Sequence, residues 1–508
     1  MTLRFDAAQA GTLDAAALEG ARAAQQGRHF PPGAAEALLA SGAAAAAGRD
    51  ALLTGRALAV TTGQQPGLFT GPLYTVYKAL TAAALAERLA GRWGHPVVPV
   101  FWVAGDDHDF AEINHCAVLA ADGAVRTITL RERAADAVML PAFRESVGPD
   151  GAAALAALEA ALPPSEFRSE TVAWLGAAYA AERSVAEAHA LALASLLAPF
   201  GVVVCRGWDG ALKRAAAPLM LEALRSAHPL DEALAGEAAR LRGAGLETPV
   251  TVGEGMGLAM VEGSGGRDRL RIADAGFVTR RAGERFALAD LEVLVRATPE
   301  RLSANVLLRP VIEAHLFPTV AYVGGPAELA YLRQAVPQPV PTPRLSGFVV
   351  EAKVDKTLER LGLAPAELGR PDGELASALA REALPADAAQ ALGALRGGLE
   401  ERYTAVREAA IRLERTLERP VETARNQALH AVDEIEKRLV AALKRNNDTA
   451  LQQLARAKAN LFPSGKPQER VLTAATYLAR HGRPVMGMLH AAARAHVERL
   501  LEAAPPGV

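Results

Sequence analysis

Only two cysteines, Cys116 and Cys205, stand among the 508 residues, and aromatic side chains make up 5% of the chain. Two thiols exclude a disulfide-stapled scaffold and point to a reducing, cytoplasmic setting. The formal net charge is only -2. A chain this close to neutral lacks the basic surface that nucleic acid or an anionic membrane demands of a principal partner. Long apolar runs are missing as well. The alanine-rich stretch 173–199 comes nearest to the roughly 18 residues of a membrane span, and Glu182, Arg183, Glu187 and His189 interrupt it. The opening residues, MTLRFDAAQAGTLD, show no charged-then-apolar signal pattern. The expectation is a soluble, cytoplasmic protein. Half of the residues are hydrophobic, enough for a large core with one or two appended modules.

What is present is concentrated between residues 58 and 115. Leu58 to Thr62 is apolar and β-branched and ends at glycine, the signature of a short buried strand. Gly63, Gly67 and Gly71 then punctuate a loop that also holds Gln64, Gln65 and Pro66. Thr70 suits an N-cap and Pro72 a first helical turn. Leu73, Val76, Tyr77 and Leu80 follow at helical spacing, with Tyr74 among them. Lys78 falls off that apolar stripe and reads as a solvated lysine. The second unit repeats the plan. Val97 to Val103 is a buried strand, and Gly105 releases it into Asp106, Asp107, His108, Asp109, Glu112 and His115. In an open parallel sheet, ligands sit outside the carboxyl ends of the strands. Both loops would lie there side by side.

Elsewhere, residues 1–50 read as short alanine-rich helices. Arg126 to Leu130 is a strand candidate, 151–162 and 168–198 are helices, and Gly201 to Cys205 is a third short strand with Asp209 as the next cap. Such alternation favours an α/β fold with helices on both faces of a parallel sheet. Glycine-rich hairpins from about 245 to 300 read as an insertion. Phe317 to Val323 is a further strand, after which Gly324, Gly325 and Pro326 form a tight loop and Glu328 opens a helix. Arg309 and His315 precede this strand, near the same strand ends. The division expected is a core at 1–374, a coiled-coil hairpin at 375–461 and a helical segment at 462–508. The hairpin turns near 413–420, and Leu429, Val432, Ile435, Leu439, Ala442 and Leu443 form its seam, interrupted at Asn446 and Asn447.

Backbone N–H groups beside a helix N-terminus hold phosphate or carboxylate, and glycine lets a ligand approach. The first loop is neither a Walker A loop nor the dinucleotide fingerprint. If the second segment is helical, His108, Glu112 and His115 share one face at i, i+4 and i+7. The order is not that of a zinc protease, and no permanent metal is expected. Helix capping explains one or two carboxylates. Six ionisable groups in ten residues beside an apolar strand point instead to general acid–base capacity.

Five ordered motifs, TTGQQPGLFTGPLYTVYK, PVFWVAGDDHDFAEINH, LFPTVAYVGGPAELAYL, PTPRLS and LFPSGKPQERVL, together resemble the BshC family of bacillithiol biosynthesis over nearly the whole chain. The resemblance implies a Rossmann-type core with connecting insertions and a coiled coil that forms a homodimer. It implies addition of L-cysteine to glucosaminyl malate and, because family members bind ADP, a nucleotide cosubstrate, ATP or ADP. The core is also similar to class I aminoacyl-tRNA synthetases and other nucleotidylyl transferases, although neither the HIGH nor the KMSKS signature is present. Amide formation needs the cysteine carboxylate activated, as acyl-adenylate or acyl-phosphate, and the sugar amine deprotonated. On this reading His108, helped by Asp106 or Asp109, is the candidate base, and the glycines at 63–71 and 324–325 hold phosphate or malyl carboxylates. The alternatives are a nucleotidylyl transferase acting on another small acid, and a nucleotide-binding coiled-coil scaffold.

Overall fold

Strands buried on both faces must be largely apolar, and the central pair obeys this. Every residue of Val97–Val103 is buried, as are Leu58 to Gly63 of Leu58–Gln64. The computed structural model describes residues 3–8, 12–134, 137–274, 276–335, 339–382, 384–446 and 448–502. Its contacts divide the chain into two units, one built from Phe5–Val349 with Pro467–Val508, the other mainly from Val350–Lys466.

In chain order the strands lying wholly within the larger unit are β1 (Leu38–Leu39), β2 (Leu58–Gln64), β3 (Val97–Val103), β4 (His115–Leu119), β5 (Val125–Thr129) and β6 (Val203–Arg206). They continue with β7 (Met256–Gly263), β8 (Gly266–Ala273), β9 (Gly276–Thr279), β10 (Arg285–Phe286), β11 (Leu302–Ala304), β12 (Thr319–Gly324) and β13 (Val340–Pro343). The main sheet has the order β13-β12-β2-β3-β6-β1 and is parallel except for the edge strand β1. β2 and β3 are neighbours in register, Gly63 beside Trp102 and Gln64 beside Val103. The two loops read from sequence therefore do emerge side by side.

Helices α1 (Tyr74–Trp93), α2 (Phe110–Ile113), α3 (Val185–Leu197), α4 (Gly210–Arg225), α5 (Leu288–Ala297), α6 (Leu308–Leu316) and α7 (Pro326–Ala335) connect and cover the sheet. Fourteen of the twenty residues of α1 are buried, so this helix has almost no solvent face. The Asp209 carboxylate caps α4, accepting from the Ala211 and Leu212 N–H groups. The glycine-rich insertion forms an antiparallel sheet, β10-β9-β8-β7-β11. Its Ala259, Val261, Leu270 and Phe277 share one apolar cluster with Leu212, Ala216 and Met220 of α4, so the insertion roofs that face of the core.

Two local expectations give way. The single helix over 168–198 is two, Arg168–Ala178 and Val185–Leu197, because Ser184 caps the second by accepting from the Glu187 N–H. The helical face through His108, Glu112 and His115 does not form. Helix α2 spans only Phe110–Ile113, and His115 opens β4, which pairs with β5.

The smaller unit is helical. A hairpin of α8 (Ala386–Leu413) and α9 (Glu418–Asn446) turns through Arg415–Leu417, and α10 (Asp448–Leu461) follows. Arg396–Asp433 and Arg407–Glu418 ion pairs link the two arms. Val432 and Val440 are buried in the hairpin, whereas Ile435 is 47% and Leu439 38% exposed. The inner seam is thus narrower than the sequence pattern suggested. Asn447 lies outside the described residues.

Candidate active site

The carboxyl ends of β2, β3 and β12 deliver three loops to one cavity of 600 Å³. Gly63, Gln64 and Gln65 come from the first, Asp106, Asp107 and His108 from the second, and Gly325 and Glu328 from the third. Tyr74 at the start of α1 also lines it. Seven cations face this space against three carboxylates. Counting Glu313 and Glu469, which pair with Arg309 and Arg344 from behind, the wall still carries an excess of two positive charges. Such a cavity favours an anionic ligand.

Lys78 ties the loops together. It is 1% exposed. Its ammonium donates to the Gly63 carbonyl and the Gln64 Oε1, each at 2.7 Å, and pairs with Glu328 Oε2 at 2.5 Å. Three acceptors satisfy its three N–H groups. The solvated lysine expected from the apolar stripe is therefore wrong, because α1 is covered on nearly every side. Burial lowers the Lys78 pKa, against the pull of Glu328. Burial also works to raise Glu328, but Lys78 and the Gly325 N–H outweigh it and hold this carboxyl below its usual range. Tyr322 continues the network, donating to Glu328 Oε1 and accepting from Arg309 Nη2.

The acidic turn is sorted by its partners. Asp106 binds the Lys213 ammonium at 2.6 Å, and that ammonium also donates to the Glu300 and Leu302 carbonyls. Asp107 accepts the Asp109 N–H, and Asp109 caps α2 through the Glu112 N–H. Arg133, paired with the buried Glu145, donates to the His108 carbonyl and holds the turn from below. The His108 ring accepts at Nδ1 from Arg267 Nη1 at 3.0 Å. A guanidinium only donates, so Nε2 carries the ring hydrogen. Burial, with the Arg267 charge adding, pushes His108 down to about 4. Arg267 itself is buried; it donates to Ser303 Oγ, to the Ala304 carbonyl and to His108 and meets no carboxylate directly among the described residues.

Most other residues singled out in the sequence lie outside the cavity lining. The Gly67 N–H donates to the buried His189 ring and its carbonyl accepts from Tyr179. A Cβ at Gly67 would sit 2.8 Å from the Gly71 Cα, and Gly71 needs φ +65°. Thr70 is fully buried with its N–H on Tyr179 and its hydroxyl against that of Thr473. It caps nothing, for α1 begins beyond Leu73. Gly67, Thr70 and Gly71 thus form a knot inside the protein, its polar groups already spent. Asp109, Glu112 and His115 are exposed; Glu112 accepts from Gln65 at 2.7 Å. Gly324 spends its carbonyl on the Arg344 N–H, and the Gly325 N–H is taken by Glu328. Side-chain cations, rather than glycine amides, are what the cavity offers an anion. Arg309 lines it, while His315 is exposed. Among the described residues no group of three or more His, Cys, Asp or Glu could hold a metal ion, and no helix is long and apolar enough to cross a membrane.

Sequence reading missed Lys78, Lys213, Arg267, Arg344 and Arg470. Lys78, Arg344 and Arg470 carried a signal, standing inside the TTGQQPGLFTGPLYTVYK, PTPRLS and LFPSGKPQERVL motifs.

A parallel sheet with a cation-lined cleft at its strand ends, joined to a helical hairpin, defines a Rossmann-like α/β protein with a coiled-coil appendage. Residues 36–337 match the family model for the N-terminal Rossmann-like domain of bacillithiol biosynthesis BshC, and 347–499 match that for its C-terminal coiled-coil domain. The chain belongs to the BshC family. Among its relatives, "Putative cysteine ligase BshC" of Salinibacter ruber is 32% identical, aligned over 86% of this chain and 81% of its own length. The protein of the same name from Symbiobacterium thermophilum is 32% identical over 87% and 83%. That from Heliobacterium modesticaldum is 31% identical over 86% and 81%. Membership places the chain among ligases.

Proposed function

We propose that the cavity joins L-cysteine to glucosaminyl malate through an amide bond, in a nucleotide-linked reaction of bacillithiol biosynthesis. The observation that carries this reading is Arg267, a buried guanidinium with no direct carboxylate partner among the described residues, set beside a neutral histidine at the strand ends. Malate brings two carboxylates, and a guanidinium fork matches a carboxylate in shape and charge. His108, with its hydrogen on Nε2, serves as a donor to an oxygen that gains negative charge as the amide forms. Asp107 lines the cavity and pairs with no lysine or arginine among the described residues, whereas Asp106 is held by Lys213 and Asp109 lies outside the lining. It accepts the proton that the sugar ammonium must lose before nitrogen attacks the cysteine carboxyl carbon.

A nucleoside triphosphate, when bound, supplies the activation of that carboxylate. The residues fit such a group: Arg344 lies buried against Tyr74, and Arg470, at the cavity edge, has no ion pair among the described residues. The two buried thiols, both pushed up by burial, suit a reducing cytosol, and the uncovered Ile435 and Leu439 suit pairing of two hairpins in a homodimer.

The test is a reconstitution. Purified protein with glucosaminyl malate, cysteine and ATP should yield the cysteinyl product and spent nucleotide by mass spectrometry, and Arg267→Met should raise KM for glucosaminyl malate at least tenfold. Product from another acid in place of cysteine, or none from this pair, would overturn the reading.

A further inference from the structure

Below its cationic mouth the cavity turns apolar. Helix α4 presents Leu212, Ala216 and Met220, successive turns of one face, and α6 presents Ile312 and Leu316. Trp102 of β3 floors this part. All six belong to one continuous apolar cluster. Even so, Trp102 and Ala216 keep 5% of their surface and Met220 and Ile312 keep 7%, left open where they line the cavity. Both helices start at the strand ends, where Lys213 of α4 meets Asp106 and Arg309 of α6 meets Tyr322. From Lys213 to Met220, and from Arg309 to Leu316, the helices descend about 10 Å. The result is an arm of the cavity, charged at its mouth and apolar along its walls.

The two proposed substrates differ in what they bring to such walls. Glucosaminyl malate is a sugar joined to a diacid, with hydroxyls, carboxylates and an ammonium spread over its whole body. Each of these groups would lose water against leucine and isoleucine without compensation. Cysteine carries both of its charges on one carbon and a single uncharged group away from them. A thiol is a weak donor and a weak acceptor that packs as a small hydrophobe, so it is buried without needing a partner. The arm is far deeper than a cysteine side chain is long, and an apolar remainder stays dry. Walls of this kind filter by polarity, since length meets no stop. A hydroxyl in the place of the thiol would be buried unpaired.

We infer that the apolar arm between α4 and α6 receives the cysteine side chain and selects thiol over hydroxyl by polarity rather than by length. The ammonium and carboxylate of the amino acid stay at the mouth, where the Asp106 and Asp107 carboxylates stand among the cations. This rests on the reading that cysteine is the acid ligated here, and adds where its side chain lies and what the walls refuse.

Calorimetry on the full chain tests it with four amino-acid amides, whose blocked carboxyl cannot be activated: cysteinamide, serinamide, α-aminobutyramide and methioninamide. Serinamide should bind at least tenfold more weakly than cysteinamide. The α-aminobutyramide, with methyl for thiol, should stay within threefold of cysteinamide. Methioninamide reaches further down the arm and should bind at least as tightly. Ala216→Phe, which fills the arm, should weaken methioninamide at least tenfold. Ile312→Thr puts a hydroxyl into the wall with little change of volume. It should narrow the gap between serinamide and cysteinamide at least threefold, and it serves if Ala216→Phe fails to fold. No measurable cysteinamide binding, serinamide as tight as cysteinamide, or a ranking blind to either folded variant overturns the arm. Ligation of cysteine measured in parallel separates the two claims. Product formation with the ranking lost sinks the arm alone, whereas the ranking kept with no product from cysteine sinks the reading beneath it.

Discussion

Replacing Lys78 with methionine keeps the length of the side chain and removes its charge. The structure sets the scale of the effect. Lys78 and Glu328 have side-chain exposures of 2% and 19%, so water cannot replace the lost partner. The Glu328 carboxylate would keep the Gly325 N–H and the Tyr322 hydroxyl but lose the ammonium paired with its Oε2. Removing one partner of a buried pair costs about 3–5 kcal/mol. Because two neutral donors remain, the lower end, about 3 kcal/mol, is expected. Lys78→Met with Glu328→Gln should then recover about half of that loss or more, since no charge is left buried alone. Urea unfolding of the wild type, both single variants and the double variant closes the cycle. A Lys78→Met loss under about 1 kcal/mol, the range for an exposed pair, would refute the argument. So would a double variant whose loss equals the sum of the single ones.

Three further outcomes follow from the geometry. Nitrogen-detected NMR with labelled histidine should show His108 neutral, with hydrogen on Nε2, down to pH near 5. Its folded pKa of about 4 lies below the ordinary 6.5, so the stability that rests on the neutral ring is complete above about 6.5 and is lost as pH falls toward 4; titration near 6.5 would show that Arg267 does not hold it, and near-normal turnover by His108→Ala would remove the ring from the reaction. Gly67→Val should cost about 3 kcal/mol or more by the clash with Gly71, read as a lower urea midpoint, while ligand affinity of the folded fraction stays unchanged; weakened affinity at normal stability would return this loop to the ligand. Replacing Ile435 and Leu439 with Asp should give monomers by light scattering, because leaving each wet forfeits roughly 1.5–3 kcal/mol; a monomeric wild type would sink the pairing.

The sheet was legible because buried parallel strands leave an unmistakable trace. Val97 to Val103 is apolar without a break, and glycine ends both central strands, so their loops and their adjacency followed from local pattern. Which loop residues reach the cavity was not legible. Gly67 and Gly71 have the composition of a ligand loop, yet the Gly67 N–H and carbonyl are consumed by His189 and Tyr179, 122 and 112 residues away, and the Gly71 N–H by the Leu68 carbonyl. Lys78 looked solvated because amphipathic periodicity assumes a helix with a wet face, and α1 has almost none. His108 was read as a base from its neighbours in sequence, the carboxylates. Its neighbour in space is a guanidinium, which occupies Nδ1 and leaves the Nε2 hydrogen to donate a hydrogen bond, the part proposed for it above.

The Arg267–His108 contact joins residues 159 apart, and the Asp106–Lys213 contact joins residues 107 apart. Closing such loops is slow, and their entropy is lost before either contact forms. In refolding, helix signal and burial of the central strands should therefore return early, with nucleotide or substrate binding lagging behind until the insertion settles over α4. The protein would pass through a state that is compact and helical but catalytically mute, and the length of that delay is written into the distance between the roof and the floor of one cavity.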